Sequence, residues 1–305
     1  MSTADTLCLF AAEPLNRASD ERTKPEWIAG KLADPSSMLL PVWRGDPLVT
    51  GDKAAFLSTA ARGEFPASAP VVFLGLDWKG SAVFAIDVSQ APSPDSAPFA
   101  DIGVYMPLRE AASRVDADDL AIVGQARWLL DWHRRHGFCA VCGAPSEVKD
   151  GGAKRQCPEC QAEHFPRSDP VAIVLAIHDG ACLLGRNTRF PPGFFSALAG
   201  YVEASETPEA CAVREIKEEA GVTLTAVHYQ FSQPWPFPSS MMMGFLADAK
   251  DRTLRLDETE ICDAKWVDKA EIRAILGGEK RENFFLPPRF TIARRLIEHW
   301  AQGEG

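Results

Sequence analysis

Within GYVEASETPEACAVREIKEEAGV, Gly200 to Val222, three glutamates stand at positions 215, 218 and 219. Spacings of three and four put Glu215, Glu218 and Glu219 on one face of a helix, where like charges cost stability unless something neutralises them. Magnesium or manganese accepts hard carboxylate oxygens and bridges to the oxygens of a pyrophosphate. The chemistry this suits is hydrolysis of a diphosphate, whose own charge repels hydroxide until a metal lowers the barrier, activates water and organises the leaving oxygen. Glu219 or Glu218 is the first place to look for a general base, since each is placed to hydrogen-bond the activated water. Glu206, ahead of the helix, is positioned to brace Arg214 or to join an outer metal shell. Gly200 reads as the residue that permits the preceding turn and Gly221 as the helix stop. A solvated acidic helix with ordinary ion pairs is the competing reading, and it leaves the repulsion between these side chains unexplained.

A second constellation is CAVCG followed by CPECQ, which sets Cys139 and Cys142 on one knuckle and Cys157 and Cys160 on another. Four thiolates arriving from two knuckles suit a tetrahedral zinc ion, and four protein ligands close its coordination sphere. Zinc there stabilises the fold and leaves catalysis to the acidic helix. A dithiol switch would need only one pair. The remaining cysteines of the eight, Cys8, Cys182, Cys211 and Cys262, are scattered and read as buried thiols.

These groups need elements to hold them. Leu39–Trp43, Val71–Leu76 and Ala82–Val88 read as strands, the last two joined by a turn at Gly80. Ala91–Pro98 reads as a flexible surface connection. Apolar positions from Leu120 to Trp132 predict a helix over Asp118–His136, with an acidic start and a basic end that suit its dipole. The runs from Val171 and Ala181 are strand-like, a helix is predicted from about Pro208 to Ala220, and strands at Val227–Phe231 and Met241–Leu246 follow. Asp268–Leu276 and Phe290–Trp300 look helical. This alternation predicts an α/β domain whose sheet is shielded by helices on both faces. No internal repeat is evident.

With 305 residues the chain suits two or three compact units. The boundaries expected are 1–125 for a small N-terminal α/β domain, 126–167 for a linking helix and ribbon, and 168–305 for the domain with the acidic helix. No apolar run approaches the length of a membrane span, and the start, MSTADTLCLF, lacks the pattern of a signal peptide, so the expected location is cytoplasmic. A formal charge of −10 argues against general binding to a phosphate backbone, unless Arg127, Arg134, Arg135, Lys154 and Arg155 form a local basic patch.

Gly200, Glu206, Arg214, Glu215, Glu218, Glu219 and Gly221 resemble the Nudix box of the Nudix hydrolase family. SQPWPFPSS at Ser232–Ser240, FPRSDPVAIV at Phe165–Val174 and the preceding ribbon are similar to its NADH pyrophosphatase branch. The resemblance implies a Nudix α/β/α sandwich with a mixed sheet after a zinc ribbon, and usually a homodimer. It implies hydrolysis of NADH or NAD to AMP and the nicotinamide mononucleotide, with Glu260 joining Glu215, Glu218 and Glu219 as a metal ligand. It further implies that Phe165 and Tyr201 sandwich the purine and that Ala293 lies beside the adenine pocket. The branch pattern has Tyr and Phe at the places where this chain has Phe165 and Tyr201, which preserves stacking. The run Gln233–Pro238 is associated with dinucleotide preference: its prolines stiffen the backbone, making Trp235 and Phe237 a wall for the second nucleotide or for a dimer boundary.

Three other functions compete. Removal of NAD caps from RNA would cut the same pyrophosphate. A broader ADP-ribose or dinucleotide pyrophosphatase would keep the glutamates and make the aromatic loop incidental. A noncatalytic zinc-ribbon adaptor is disfavoured by the intact acidic set.

Overall fold

The computed structural model describes residues 8–303, and their contacts define two units. One is built on Leu9–Arg167 together with Trp235–Ser239. Its strands are β1 (Met38–Trp43), β2 (Asp46–Thr50), β3 (Lys53–Ala54), β4 (Leu57–Ser58), β5 (Val71–Leu76), β6 (Ala82–Asp87) and β7 (Val104–Tyr105). They form a sheet in the order β3-β2-β1-β6-β5, with β4 added to β1 and β7 to β2. The expected hairpin is β5–β6, and its turn is held by Asp77, whose carboxylate accepts from the Lys79 and Ser81 N–H groups at 2.9 and 2.8 Å. Helices α1 (Pro25–Ala33), α2 (Leu108–Ala111) and α3 (Ala117–Arg135) complete the layer, and α3 packs across β1, β5 and β6. Asp116 caps α3 by accepting from Asp119 N at 2.9 Å. Ala91–Pro98 is more ordered than a flexible connection. Ser93 and Ser96 cap a short 3-10 turn there, and Ala97 is buried.

The cysteine ribbon carries β8 (Glu147–Lys149), β9 (Lys154–Gln156) and β10 (Glu163–His164), in the order β10-β9-β8. It seats on this same sheet through two glycines with positive φ. A side chain on Gly151 would meet Ile28 and Phe73 at 2.9–3.0 Å, and one on Gly152 would meet Val72 at 2.9 Å. A buried network locks the seat. Arg155 donates to Ser146 Oγ and O at 2.7 and 2.5 Å and to His133 Nδ1 at 3.2 Å, while His133 Nε2 contacts Gly152 O at 2.8 Å. Burial pushes His133 down to about 4, so the ring is neutral and its Nε2–H donates to the carbonyl. Of the five residues expected to form a basic patch, Arg155 and Lys154 take no part in one. Arg155 is 9% exposed, and Lys154 is neutralised by Asp150 and Glu163 at 3.2 and 2.6 Å.

The other unit is built on Ser168–Pro234 and Ser240–Gly305. Its strands are β11 (Asp169–His178), β12 (Ala181–Asn187), β13 (Leu198–Tyr201), β14 (Leu224–Trp235), β15 (Ser240–Ala249) and β16 (Ile261–Asp268), with helices α4 (Pro208–Ala220), α5 (Lys269–Leu276) and α6 (Ile292–Gln302). The order is β14-β15-β11-β12-β16, with β13 added to β11. β11 runs parallel to β15 and antiparallel to β12 and β13. Val171 to Ala176 are buried without a break, as a strand covered on both faces requires. Ala172, Val174 and Ala176 join Cys211, Ala212, Ile216 and Ala220 of α4 in one core. On β15, Phe245 joins that core while its neighbour Gly244 turns toward Ile292 and Leu296 of α6. The α/β/α sandwich with a mixed sheet is therefore present.

Comparing the two sheets exposes a repeat that the sequence conceals. β1 pairs antiparallel with β2 and β4 and parallel with β6, as β11 does with β12, β13 and β15. β5 borders β6 as β14 borders β15. The insertion between the third and fourth of these strands differs. Twenty-two residues including α4 separate β13 from β14, whereas twelve, with only a 3-10 turn at Thr59–Glu64, separate β4 from β5. Gly63 and Pro66 oppose a longer helix there.

Gly221 ends α4 at φ +71°, and a Cβ there would lie 2.7 Å from that of Arg255. Gly221→Ala is expected to lower unfolding stability by about 1–2 kcal/mol from the left-handed backbone alone, and by more through the contact. Urea unfolding followed by circular dichroism measures it, and an unchanged midpoint would refute the conformational argument.

Candidate active site and metal centres

Local sequence makes α4 begin and end where it does. The Thr207 hydroxyl accepts from Ala210 N at 3.2 Å, Pro208 occupies the first turn, and the Gly221 N–H donates to Lys217 O. Packing Ile216 and Ala220 on the sheet leaves the glutamates along one side. Glu215 is half-buried, Glu218 exposed, and Glu219 only 5% exposed.

Arg214 organises the entrance to this face. It forms a two-pronged pair with Glu206, both contacts 2.8 Å, and donates to Glu215 at 2.7 Å, Glu218 at 3.1 Å and Tyr201 O at 3.0 Å. One guanidinium thus joins the end of β13, the loop after it and two helix carboxylates. The paired guanidinium holds Glu206 down to about 2. Of the two roles open to Glu206 in the sequence, bracing Arg214 is the geometry observed.

Gly200 has a different reason from the one inferred. It lies within β13, opposite Ala172, and an added Cβ would sit 1.8–2.3 Å from the Glu215 carboxyl group. Glycine is there because Glu215 packs on the strand, which requires no turn.

Glu219 has no such partner. Its Oε2 is buried without a hydrogen bond. Burial, followed by the charges of Glu215, Glu260, Asp257 and Glu218, pushes its pKa up to about 8. An orphaned, buried carboxylate oxygen that feels the charge of four other carboxylates suits a hard divalent cation, whose charge would offset theirs.

Glu260 and Asp257 reach the helix because the chain after β15 is strapped to its end. Arg255 N donates to Ala220 O at 2.8 Å and Asp257 N to Glu219 O at 3.1 Å. Asp257 was not singled out by sequence reasoning. No local pattern marks it, since only the strap brings it near. Beside it lies a cavity of about 310 Å³ bordered by Lys217, Glu218, Arg255 and Asp257.

The four ribbon cysteines all place their sulfurs within 4.8 Å of one another. Cys139–Cys160 and Cys142–Cys157 are 3.6 and 3.5 Å apart. A tetrahedron with zinc–sulfur bonds of about 2.3 Å has edges of roughly 3.8 Å, whereas a disulfide is about 2.05 Å. The set therefore fits zinc. Backbone N–H groups of Cys142 and Val141 point at the Cys139 sulfur and lower its pKa, while the neighbouring sulfurs raise that of Cys142, so the four thiols share their protons until a cation replaces them.

The remaining candidates are placed as follows. Tyr201 ends β13 at 61% exposure, and Phe165 follows the ribbon at 64%. Gln233 is fully buried, donating to Phe290 O at 2.8 Å and accepting from Ile292 N at 2.7 Å, so it braces the start of α6. Ala293 is buried in the first turn of α6. Trp235 and Phe237 are half-buried with ring centroids 4.9 Å apart, and Arg109 lies over both rings. No helix among the described residues is long and apolar enough to cross a membrane.

Three families match the chain. The NUDIX domain covers residues 167–286, the NADH pyrophosphatase-like rudimentary NUDIX domain covers 36–132, and the NADH pyrophosphatase zinc ribbon domain covers 134–165. The NAD-capped RNA hydrolase NUDT12 of Homo sapiens is 33% identical over 335 residues, covering 95% of this chain and 72% of that protein. The NAD-capped RNA hydrolase NudC of Mycobacterium bovis (strain BCG / Pasteur 1173P2) is 35% identical over 292 residues, covering 93% and 92%. NudC of Stutzerimonas stutzeri (strain A1501), another NAD-capped RNA hydrolase, is 39% identical over 191 residues, covering 63% and 65%.

Two measurements test the centres. Glu219 binds a proton more tightly in the folded chain than in the unfolded one, so metal-free stability should fall as pH rises from its ordinary 4.5 to about 8. Manganese should offset that fall, and Glu219→Gln should flatten it; thermal melts across this range that match between wild type and variant would remove the assignment. Elemental analysis after dialysis against a weak chelator should find one zinc per chain, lost in Cys157→Ser.

Proposed function

Because the chain belongs to the Nudix hydrolase family, in the branch with NADH pyrophosphatase-like and zinc ribbon domains, we propose that it hydrolyses the pyrophosphate of NADH or NAD. The products are AMP and the reduced or oxidised nicotinamide mononucleotide. The observation that carries this reading is the buried, unpartnered oxygen of Glu219 among Glu215, Glu218, Asp257 and Glu260. Magnesium or manganese held by Glu215, Glu218, Glu219 and Glu260 would offset the charge of the pyrophosphate and make water a better nucleophile.

The side chains divide the remaining work. Glu218, exposed beside the cavity, is the better placed of the two candidate bases to take a proton from water. Arg214 and Glu206 position Glu215 and Glu218. Phe165 and Tyr201 offer exposed rings for a purine. Gln233 acts as a positioning residue that fixes the first turn of α6, where Ala293 borders the base. Trp235 and Phe237 wall the second nucleotide. The zinc centre maintains the fold, and the assembly is a homodimer.

The relatives named as NAD-capped RNA hydrolases favour a second substrate for the same chemistry. An NAD cap presents an identical pyrophosphate, and the RNA extends from a ribose that does not react. ADP-ribose shares the bond and lacks the nicotinamide. An adaptor role would leave the concentrated carboxylates without a use.

Glu219→Gln is expected to fold normally, because burial already favours the neutral form, and to lose about a hundredfold or more in turnover. Near-native turnover at saturating magnesium would sink the assignment. Trp235→Ala should lower kcat/KM for NADH more than for ADP-ribose, since the smaller substrate has no second base to contact the wall. An unchanged ratio rejects the role of Trp235, and a wild-type preference for ADP-ribose rejects the substrate. NAD-capped RNA in the same assay decides between the free and the capped dinucleotide.

A further inference from the structure

A cavity of about 780 Å³ lies within the unit that contains β1, α3 and the Trp235–Ser239 turn. Five arginines line it: Arg44 after β1, Arg109 on α2, and Arg127, Arg134 and Arg135 on α3. Only two carboxylates, Asp87 and Asp131, line it with them. This is a local excess of positive charge in a chain of formal charge −10.

The partners of these arginines decide what the cavity can hold. Arg134 and Arg135 share one carboxylate, Asp131, at 2.5 and 2.8 Å. Arg127, half-buried, donates to Gly45 O at 2.8 Å and reaches Asp46 at 3.4 Å. Arg109 and Arg44 have no carboxylate among their described contacts. Arg109 lies 4.4 Å from the centroid of Phe237, which Arg127 approaches to 5.2 Å, and Arg44 lies 4.7 Å from that of Trp43. Stacking on a ring orients a guanidinium while its in-plane N–H groups stay available as a fork for phosphate oxygens. The volume falls in the range of small-ligand sites, roughly 300–1,000 Å³. The charges converge from three separate segments on one spot, whereas a track for a nucleic-acid backbone is extended.

We propose that this cavity is a second ligand site, which takes a compact anion bearing two or more phosphoryl groups, either free pyrophosphate or the diphosphate of a nucleotide. It goes beyond the hydrolytic reading and uses none of its carboxylates, although Phe237, which lines the cavity, is also one of the two rings assigned to the wall of the second nucleotide.

The test is calorimetric titration of the zinc-containing protein, in buffer without magnesium or manganese, with pyrophosphate, ADP and a short uncapped RNA. Pyrophosphate and ADP should both bind, and tighter binding of ADP would identify a nucleotide as the source. Arg109→Glu and Arg44→Asn should each weaken pyrophosphate binding about tenfold or more, while Arg109→Lys keeps most of it. Asparagine suits position 44, where φ is +49°. Circular dichroism and zinc content establish that each variant is folded. Pyrophosphate binding unchanged in both charge-removing variants would overturn the proposal. So would failure of both small anions to bind, whether or not the RNA does.

Discussion

Bringing Glu215, Glu218, Asp257 and Glu260 around a buried Glu219 concentrates negative charge where water screens it poorly, and the C-terminal unit is arranged about that cost. A folded chain tolerates such a cluster in two ways, by holding a proton or by holding a cation. The raised pKa of Glu219 is the first, and its unpartnered oxygen is an opening for the second. Stability is thereby spent where the proposed hydrolysis would need positive charge.

The neighbouring residues keep the cluster from dispersing. Arg214 reaches three carboxylates and a strand carbonyl, so Glu215 and Glu218 cannot turn outward independently. Gly200 lets Glu215 lie against β13, and the left-handed Gly221 lets the segment through Arg255 fold back on the helix end. Two glycines in one motif thus answer two different steric demands, close approach at one and backbone conformation at the other.

The N-terminal unit repeats the sheet plan while omitting the acidic helix, in accord with its match to a rudimentary NUDIX domain. Its shorter insertion between β4 and β5 has no room for the thirteen-residue helix found in the other unit. Its charged groups do different work. Arg155 fastens the ribbon from inside, and arginines from the loop after β1, α2 and α3 gather about a separate cavity.

Where chemistry is set by neighbours in sequence, the chain was legible. α4 spans Pro208–Ala220 as its cap residues and apolar spacing indicate, and the two cysteine pairs fix a four-sulfur cluster because each knuckle is a local turn. β11 was recognisable from its apolar run alone. Tertiary structure decided what depends on distant segments meeting. Asp257 approaches Glu219 through a backbone strap, Gln233 is drawn inward by the start of α6, and Arg155 is taken from the surface by His133 and Ser146. The doubled sheet plan escaped notice because strand order is a pattern of long-range pairing, which diverged sequences preserve without preserving a residue period. A side chain's type and spacing limit what it can do, but its charge state and exposure depend on which remote groups fold against it.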